Sequence, residues 1–195
     1  MLFRSTGIFL GASGNDIYMH DTYFVLAHFH YTFYPIAIIG TFAGFAMWFP
    51  KMFGKMLDDR LGKIHFWGSI IPFNCVFIPL FVLGAAGQHR RIYDYTLFSE
   101  LSLPWMQNMR EFATIALLVM IAFQLVFFYN VWKSLRSGEP AGENPWRSNT
   151  LEWTTPSPPG HGNWPPDKLP NVYRGPYEYS HPDRDQDYWP QNQPS

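Results

Sequence analysis

The sequence has 195 residues with 14 Lys and Arg against 15 Asp and Glu, so it lacks the basic excess of a nucleic-acid-binding protein. A single cysteine, Cys75, excludes a disulfide or an all-cysteine metal site within the chain. The mean hydropathy of −0.13 averages two unlike parts. Residues 1–136 are apolar and aromatic, whereas residues 137–195 hold twelve of the 17 prolines and few aliphatic side chains.

Residues 1–21 precede the first long apolar segment and are interpreted as the remnant of a preceding helix followed by a loop. The first ten residues are apolar apart from Arg4, but they are too few to cross a bilayer, which takes about 20 residues. A signal peptide is an alternative, although no convincing cleavage site follows. Glycines together with Asn15 and Asp16 predict a turn over residues 11–19.

The first predicted membrane span, residues 22–49, contains no Lys, Arg, Asp or Glu. Its histidines, His28 and His30, lie two positions apart, and at about 100° per residue their side chains point to faces about 200° apart. They therefore cannot bind one metal ion together, but they suit a helix between two partners, and imidazole is a usual axial ligand of haem iron. The alternative is a pair of hydrogen-bonded core histidines; the cost of ionisable groups in a membrane favours a functional role. Pro35 predicts a bend and Pro50 the end of the span.

Two further spans are predicted at residues 64–86 and 111–132, which gives a membrane region of residues 22–136. The 51–63 loop and the flank after the third span hold six Lys and Arg, against three on the other side. The positive-inside rule therefore places this loop and the tail in the cytoplasm or matrix. Three spans bury little internal core, so an obligate membrane partner is expected. Residues 137–195 are predicted to form a Pro- and aromatic-rich irregular tail that lies along a partner's surface.

Several motifs together resemble one family. The string His20-Asp-Thr-Tyr-Phe-Val-Leu-Ala-His28-Phe29-His30-Tyr31 resembles the helix-ten signature of subunit I of the haem–copper oxidases, specifically of the cytochrome c oxidases. Further motifs follow in the family's order and rough spacing: Trp48-Phe-Pro-Lys51, Gly62-Lys-Ile-His-Phe66, Arg90-Arg91-Ile-Tyr-Asp-Tyr95 and Leu151-Glu-Trp153.

This resemblance covers nearly the whole chain and implies an all-α integral membrane fold. Its three transmembrane helices would be equivalent to the last helices of the twelve-helix subunit I bundle, followed by an irregular tail. Because the chain would begin within the ninth helix of that bundle, it is interpreted as the C-terminal piece of a split or truncated subunit I of the bacterial type.

The resemblance implies a role for each histidine of the motif. His28 resembles the proximal ligand of the high-spin, oxygen-reducing haem, and His30 one of the two axial ligands of the low-spin haem. Phe29 would then lie near both haems. His20 and Asp21 resemble the ligands of a non-redox magnesium site at the outer face, where a carboxylate suits a hard cation. The alternative is that Asp21 is simply the N-cap of the helix.

Arg90 and Arg91 resemble the arginine pair that contacts haem propionates, for which a permanently charged guanidinium is suited. Asp16 matches a family position near a propionate of the oxygen-side haem. The alternative for the arginines is a membrane-flanking charge pair. Four other histidines are expected to be interfacial or surface groups without an assigned role: His65, His89, His161 and His181.

The implied function is electron transfer from cytochrome c to O2 coupled to proton pumping, with two haems, expected to be of the haem a type, and magnesium as cofactors. The family's copper-B histidines and the second ligand of the low-spin haem lie on earlier helices that this sequence does not contain. Copper-B is therefore expected on another chain, and this chain is not expected to be active alone. The expected partners are the chain carrying those helices, the copper-A subunit II, subunit III, cytochrome c and membrane lipid.

Two other functions remain open from the sequence. One is a non-catalytic accessory or assembly membrane protein that retains the motif. The other is a fragment of a quinol oxidase, which Asp21 disfavours because those relatives commonly have Asn at this place. The resemblance of the tail to bacterial forms favours a bacterial plasma membrane over the mitochondrial inner membrane.

Overall fold

The computed structural model describes residues 2–178, 180, 185 and 187–194. The regular secondary structure of these residues is helical, with isolated bridges and no strand. His181 lies outside the described residues. Three continuous helical segments are long and apolar enough to cross a membrane: Tyr23–Phe53, Asp59–Ala85 and Pro104–Ser137. The prediction of an all-α integral membrane protein with three transmembrane helices is confirmed.

The chain begins with two short helices, α1 (Leu2–Gly11) and α2 (Ser13–Met19). The prediction of a turn over residues 11–19 is wrong, because the glycines and polar residues there are accommodated in the helix α2. Ala12 is its extended N-cap, and the Ala12 carbonyl accepts hydrogen bonds from the backbone nitrogens of Asn15 and Asp16.

The first membrane helix consists of α3 (Tyr23–Phe33), a π-helical turn (Tyr34–Ile39) and α4 (Gly40–Phe53). Pro35 causes the π-helical turn because it has no N–H to donate to the preceding turn. The backbone hydrogen bonds shift from the i−4 to the i−5 carbonyl, and the nitrogen of Gly40 donates to the carbonyl of Pro35. The prediction that Pro50 ends this helix is wrong. The helix continues to Phe53 and stops at Gly54, whose φ of +67° suits glycine.

The second and third membrane helices, α5 (Asp59–Ala85) and α6 (Pro104–Ser137), are longer than the predicted spans. Their ends extend into polar sequence because backbone hydrogen bonding continues beyond the apolar part of each helix. Pro104 occupies the first position of α6, where its missing N–H costs no intrahelical hydrogen bond.

The chain divides into two compact units, the first formed by Met1–Phe42 and Arg60–Tyr129. The core of this unit is an aromatic cluster shared by α3, α5 and α6: Tyr31, Phe73, Val76, Phe77, Ala116 and Met120. The Tyr31 hydroxyl donates to Oδ1 of Asn74 at 2.6 Å, so α3 is joined to α5 by a polar contact as well as by packing. This cluster supports the part of α3 that carries the two motif histidines.

At Gly84, α5 lies close against the start of α3. A methyl group on Gly84 would lie 1.9 Å from the backbone nitrogen of Phe24. We expect Gly84→Ala to destabilise the protein by about 3 kcal/mol or more, because a backbone atom cannot move aside as a flexible side chain can. The unfolding midpoint of the purified complex that contains the chain measures this effect.

Gly62→Ala in the same helix is the matched control. No atom lies within 4 Å of a methyl group placed there, and alanine is favoured over glycine in a helix by about 0.5–1 kcal/mol. An unfolding midpoint for Gly84→Ala equal to that of Gly62→Ala would contradict the close approach.

The second unit consists of Ala43–Asp59 and Asn130–Ser195. Here the tail packs on its own chain: Trp153 is 1% exposed, with the Lys51 ammonium 5.4 Å from its ring centroid. Lys51 Nζ also donates to the backbone carbonyls of Thr155 at 2.6 Å and Glu143 at 2.8 Å. The tail has only short 3-10 helices among its described residues. That it also lies along a partner stays a prediction.

Candidate functional site

The N-cap of α3 is Thr22, whose hydroxyl accepts a hydrogen bond from the backbone nitrogen of Phe24 at 3.2 Å. The alternative in which Asp21 caps the helix is therefore wrong. The backbone nitrogen of Tyr23 donates to the carbonyl of Gln88 at 3.0 Å. The start of α3 is thus held against the loop that follows α5, and the motif histidines lie one and two turns further along.

His28 is half-buried and lies against α1. Its Nδ1 is 2.8 Å from the hydroxyl of Thr6, and a methyl group on Gly7 would lie 3.3 Å from its Cε1. Among the described residues, its Nε2 has no hydrogen-bond partner. The imidazole is therefore oriented through Nδ1, and Nε2 is the nitrogen available to a ligand.

His30 is also half-buried, and its Nδ1 lies 2.8 Å from the backbone carbonyl of Leu26. A carbonyl accepts and cannot donate, so Nδ1 carries the proton and Nε2 carries the lone pair. One face of the ring stacks on Phe77, with centroids 4.7 Å apart and planes inclined by 17°. The edge contact with Phe29 has a centroid distance of 5.5 Å.

Both histidines fit ligation of haem iron through Nε2. A metal-ligating imidazole almost always has its other ring nitrogen hydrogen-bonded, which fixes the tautomer and the ring orientation. Thr6 and Leu26 supply such partners for His28 and His30 respectively. The spacing of the two residues directs them to different faces of α3, so they suit two separate irons.

Asp21 and Arg90 form an ion pair at the start of α3. Arg90 donates to Oδ1 of Asp21 from Nε at 2.7 Å and from Nη2 at 2.5 Å. The backbone nitrogen of Arg90 also donates to the carbonyl of Asp21 at 2.9 Å. Asp21 has a positive φ of 56°, a conformation that Asp tolerates better than most residues. These contacts join two segments that are 69 residues apart in the sequence.

The hydrogen bond from Arg90 lowers the pKa of Asp21, and the charges of Arg90, His20 and Arg91 act in the same direction. A carboxylate whose pKa is lowered in the folded state stabilises the fold above its ordinary pKa of about 4. That contribution is lost as the pH falls through the lowered value. The ion pair is therefore formed throughout the neutral and mildly acidic range.

The same region brings His20 between two carboxylates. His20 Nδ1 lies 3.9 Å from Asp16 Oδ2, and His20 Nε2 lies 3.9 Å from Asp21 Oδ2. Mg²⁺ holds its ligands at about 2.1 Å in near-octahedral geometry, in which neighbouring donors lie about 3 Å apart. His20 and Asp21 would therefore have to move closer together to bind one ion. No group of three or more His, Cys, Asp or Glu that could hold a metal occurs in the described part of the chain. His20 and Asp21 thus have the donor types for part of a metal site, which would need a small movement of these side chains and further ligands.

The structure brings together Asp16, His20, Asp21 and Arg90, while Arg91 is an exposed neighbour with a positive φ of 65°. Arg90 was expected to contact propionates; in the structure it is paired with Asp21 through Nε and Nη2. No sequence pattern predicts this pairing, because two polar residues so far apart in the chain share no periodicity.

His65 was expected to be an interfacial or surface group, and the structure contradicts a surface position. It is 7% exposed, and its Nε2 lies 3.1 Å from Oε1 of Gln124, whose amide donates to the hydroxyl of Ser69 at 3.0 Å. The signal for burial was the spacing of His65 and Ser69, four residues apart on one helix face. His89 and His161 are exposed as expected.

Comparison with known proteins identifies the family. The model of the family described as "Cytochrome C and Quinol oxidase polypeptide I" matches residues 5–123. The chain belongs to this family. It is 43% identical over 190 residues to the alternative cytochrome c oxidase subunit 1 of Bradyrhizobium diazoefficiens, which covers 97% of the chain and 32% of that relative.

Other relatives in the oxidase family match to a similar extent. The cytochrome c oxidase subunit 1 of Thermostichus vulcanus is 42% identical, with 89% of this chain and 30% of the relative covered. The cytochrome c oxidase subunit 1 of Synechocystis sp. is 39% identical, with 92% of this chain and 31% of the relative covered. The chain therefore spans about a third of the length of these relatives. The resemblance to haem–copper oxidase subunit I is confirmed.

Proposed function

We propose that this chain forms part of the catalytic subunit of a cytochrome c oxidase, in which it supplies the proximal ligands of two haems. The observation that carries the proposal is the arrangement on α3. Two imidazoles two positions apart each have Nδ1 held by the chain itself, at 2.8 Å in both cases. Such a pair on a membrane helix of this family suits ligation of two irons from one helix.

His28 is assigned to the high-spin, oxygen-reducing haem and His30 to the low-spin haem. When bound, these haems carry electrons from cytochrome c to O2, a reaction coupled to proton pumping. The chain fixes the tautomer of His30 and orients the ring of His28, and each residue would present Nε2 to an iron. Thr6 orients His28 from α1. Leu26 and Phe77 orient His30 from α3 and α5.

Arg90, Arg91 and Asp16 are assigned to the region of the haem propionates. Arg90 pairs with Asp21 through Oδ1, which leaves Oδ2 of Asp21 facing His20. His20 and Asp21 are assigned to a magnesium ion on the same side. Like any ordinary aspartate, Asp21 is ionised at neutral pH, which is the form that binds a cation.

The magnesium assignment predicts that Asp21→Asn weakens binding of Mn²⁺, used as a paramagnetic substitute, at least tenfold. The amide has no charge and is a poorer ligand for a hard cation. Electron paramagnetic resonance of Mn²⁺ bound to the purified complex measures the effect. Asp94→Asn is the matched control, since Asp94 also has a lowered pKa but is occupied by both the nitrogen and the hydroxyl of Thr96. Equal Mn²⁺ signals from both variants would refute the assignment.

The chain is proposed to act with the earlier helices of subunit I, which carry the copper-B histidines, and with the copper-A subunit, subunit III, cytochrome c and membrane lipid. A bacterial plasma membrane is favoured over a mitochondrial one, because the similar relatives named above are bacterial.

Purification of the tagged chain from its own membranes tests this proposal. We expect co-purification of the remaining subunit I helices and of a copper-A subunit, identified by mass spectrometry and copper content. Absence of copper-A with quinol-dependent activity would instead indicate a quinol oxidase. Recovery without the earlier helices would favour the accessory protein.

A further inference from the structure

The imidazole of His30 is held on more than one side by this chain. Its Nδ1 is bonded to the carbonyl of Leu26, one face stacks on Phe77 at 4.7 Å, and Phe29 makes an edge contact. The hydrogen bond fixes the position of one ring nitrogen but still permits the ring plane to rock about that contact. A flat neighbour at stacking distance, inclined by only 17°, restricts the plane itself.

Phe77 is itself firmly placed. It is 7% exposed and belongs to the buried cluster of the first unit. Phe73 contacts it at a centroid distance of 4.8 Å and Tyr31 at 6.3 Å. Tyr31 is in turn bonded to Asn74 on α5. Because interiors are close-packed, a ring held in this way has little freedom to follow a rotation of its neighbour.

We infer that Phe77 is a positioning residue that sets the plane of the His30 imidazole and so tunes the low-spin haem. This inference rests on the proposed role of His30 as an axial ligand. The orientation of an axial imidazole plane determines how its π orbitals overlap with the iron d orbitals. That overlap controls the splitting of the d orbitals, and hence the g values and the reduction potential of the haem. Partners outside the ligand sphere are known to act in this way on metal sites.

Phe77→Leu tests the inference in the assembled complex. Leucine keeps the site apolar but removes the flat face. We expect the electron paramagnetic resonance signal of the oxidised low-spin haem to broaden and its largest g value to shift, because the imidazole occupies a range of orientations. The midpoint potential of this haem is expected to shift as well, while the content of both haems and the high-spin signal remain as in the parent.

Phe73→Leu is the matched control. Phe73 is on the same helix, belongs to the same cluster and is 1% exposed, but it stacks on Tyr34 instead of His30. The control should change the low-spin signal much less than Phe77→Leu does, because Phe73 packs on Phe77 and stacks on Tyr34, whereas Phe77 stacks on His30 itself. Equal changes in both variants would show a general loosening of the core and would overturn the inference.

Phe77→Met serves where Phe77→Leu fails to assemble, since methionine fills irregular space with little loss of volume and has no flat face. A signal and potential identical to the parent in an assembled Phe77 variant would overturn the inference. The variant His30→Ala distinguishes failure of the positioning role of Phe77 from failure of the proposed haem ligation by His30. If His30→Ala abolishes the low-spin haem while the Phe77 variants match the parent, only the positioning role fails. If His30→Ala retains that haem, the ligand assignment fails and the inference fails with it.

Discussion

Replacement of His28 by alanine is expected to abolish the high-spin haem signal of the assembled complex while most of the low-spin signal remains. Oxygen reduction should fall by at least about 100-fold, because loss of even an outer partner of a metal ligand costs about 10–100-fold. The fold should persist. The substitution removes one hydrogen bond, to Thr6, with a net value of about 1 kcal/mol, and alanine is a better helix former than histidine.

The selectivity of this effect is the informative part. His28 is held by α1 through Thr6, whereas His30 is held by Leu26 and Phe77. The two environments share no side chain, so loss of one imidazole should not reorient the other. His161→Ala, at an exposed histidine of the tail, is the control and should leave both haem signals and the activity unchanged. Retention of the high-spin haem in His28→Ala would refute the ligand assignment.

Replacement of His30 by alanine should have the reverse effect. The low-spin haem signal is expected to disappear, while binding of carbon monoxide to the reduced high-spin haem is expected to persist. Electron entry should fail, so steady-state oxygen reduction should again fall by at least about 100-fold. Optical spectra of the reduced complex, with and without carbon monoxide, measure both haems in one preparation.

Together the two alanine variants test whether the two histidines bind separate haems. If either variant lost both haems although the complex assembled with its normal composition, the two histidines would not serve separate irons. If neither lost a haem, the motif would not bind haem in this protein, and a non-catalytic accessory role would be favoured.

The sequence predicted the membrane fold well because its strongest signals are compositional. Long apolar segments and their charged flanks identify membrane helices without knowledge of tertiary contacts. The predicted positions of the helix ends were less accurate. Pro50 was expected to stop the first helix, but backbone hydrogen bonding continues to Phe53, where Gly54 permits the positive φ that ends it. Local sequence rules identify a residue that can end a helix, but the surrounding packing determines whether the helix ends there.

The candidate site was predictable in its residue types but less so in its contacts. The motif singled out His28 and His30, and the helical period placed them on different faces. The partners of these residues lie elsewhere in the chain: Thr6 on α1 and Phe77 on α5. No periodicity links such pairs, because they meet only when the helices pack.

The pairing of Asp21 with Arg90 illustrates the same limit. Asp21 matched a family position that binds magnesium, and Arg90 matched one that contacts a haem propionate. Neither match predicted the contact between the two residues. Likewise, the burial of His65 depends on Gln124 from α6. From the sequence alone, a histidine near the end of a membrane helix is predicted to lie at the membrane interface. Its burial becomes evident only when its partner on another helix is known.

The most direct test of the central claim is a reduced-minus-oxidised difference spectrum of the complex purified through this chain. The proposed function predicts two haem contributions of different spin state, with carbon monoxide shifting only the high-spin one. A chain that purifies without haem from intact membranes, under conditions that preserve its assembly, would contradict the assignment of His28 and His30 as haem ligands.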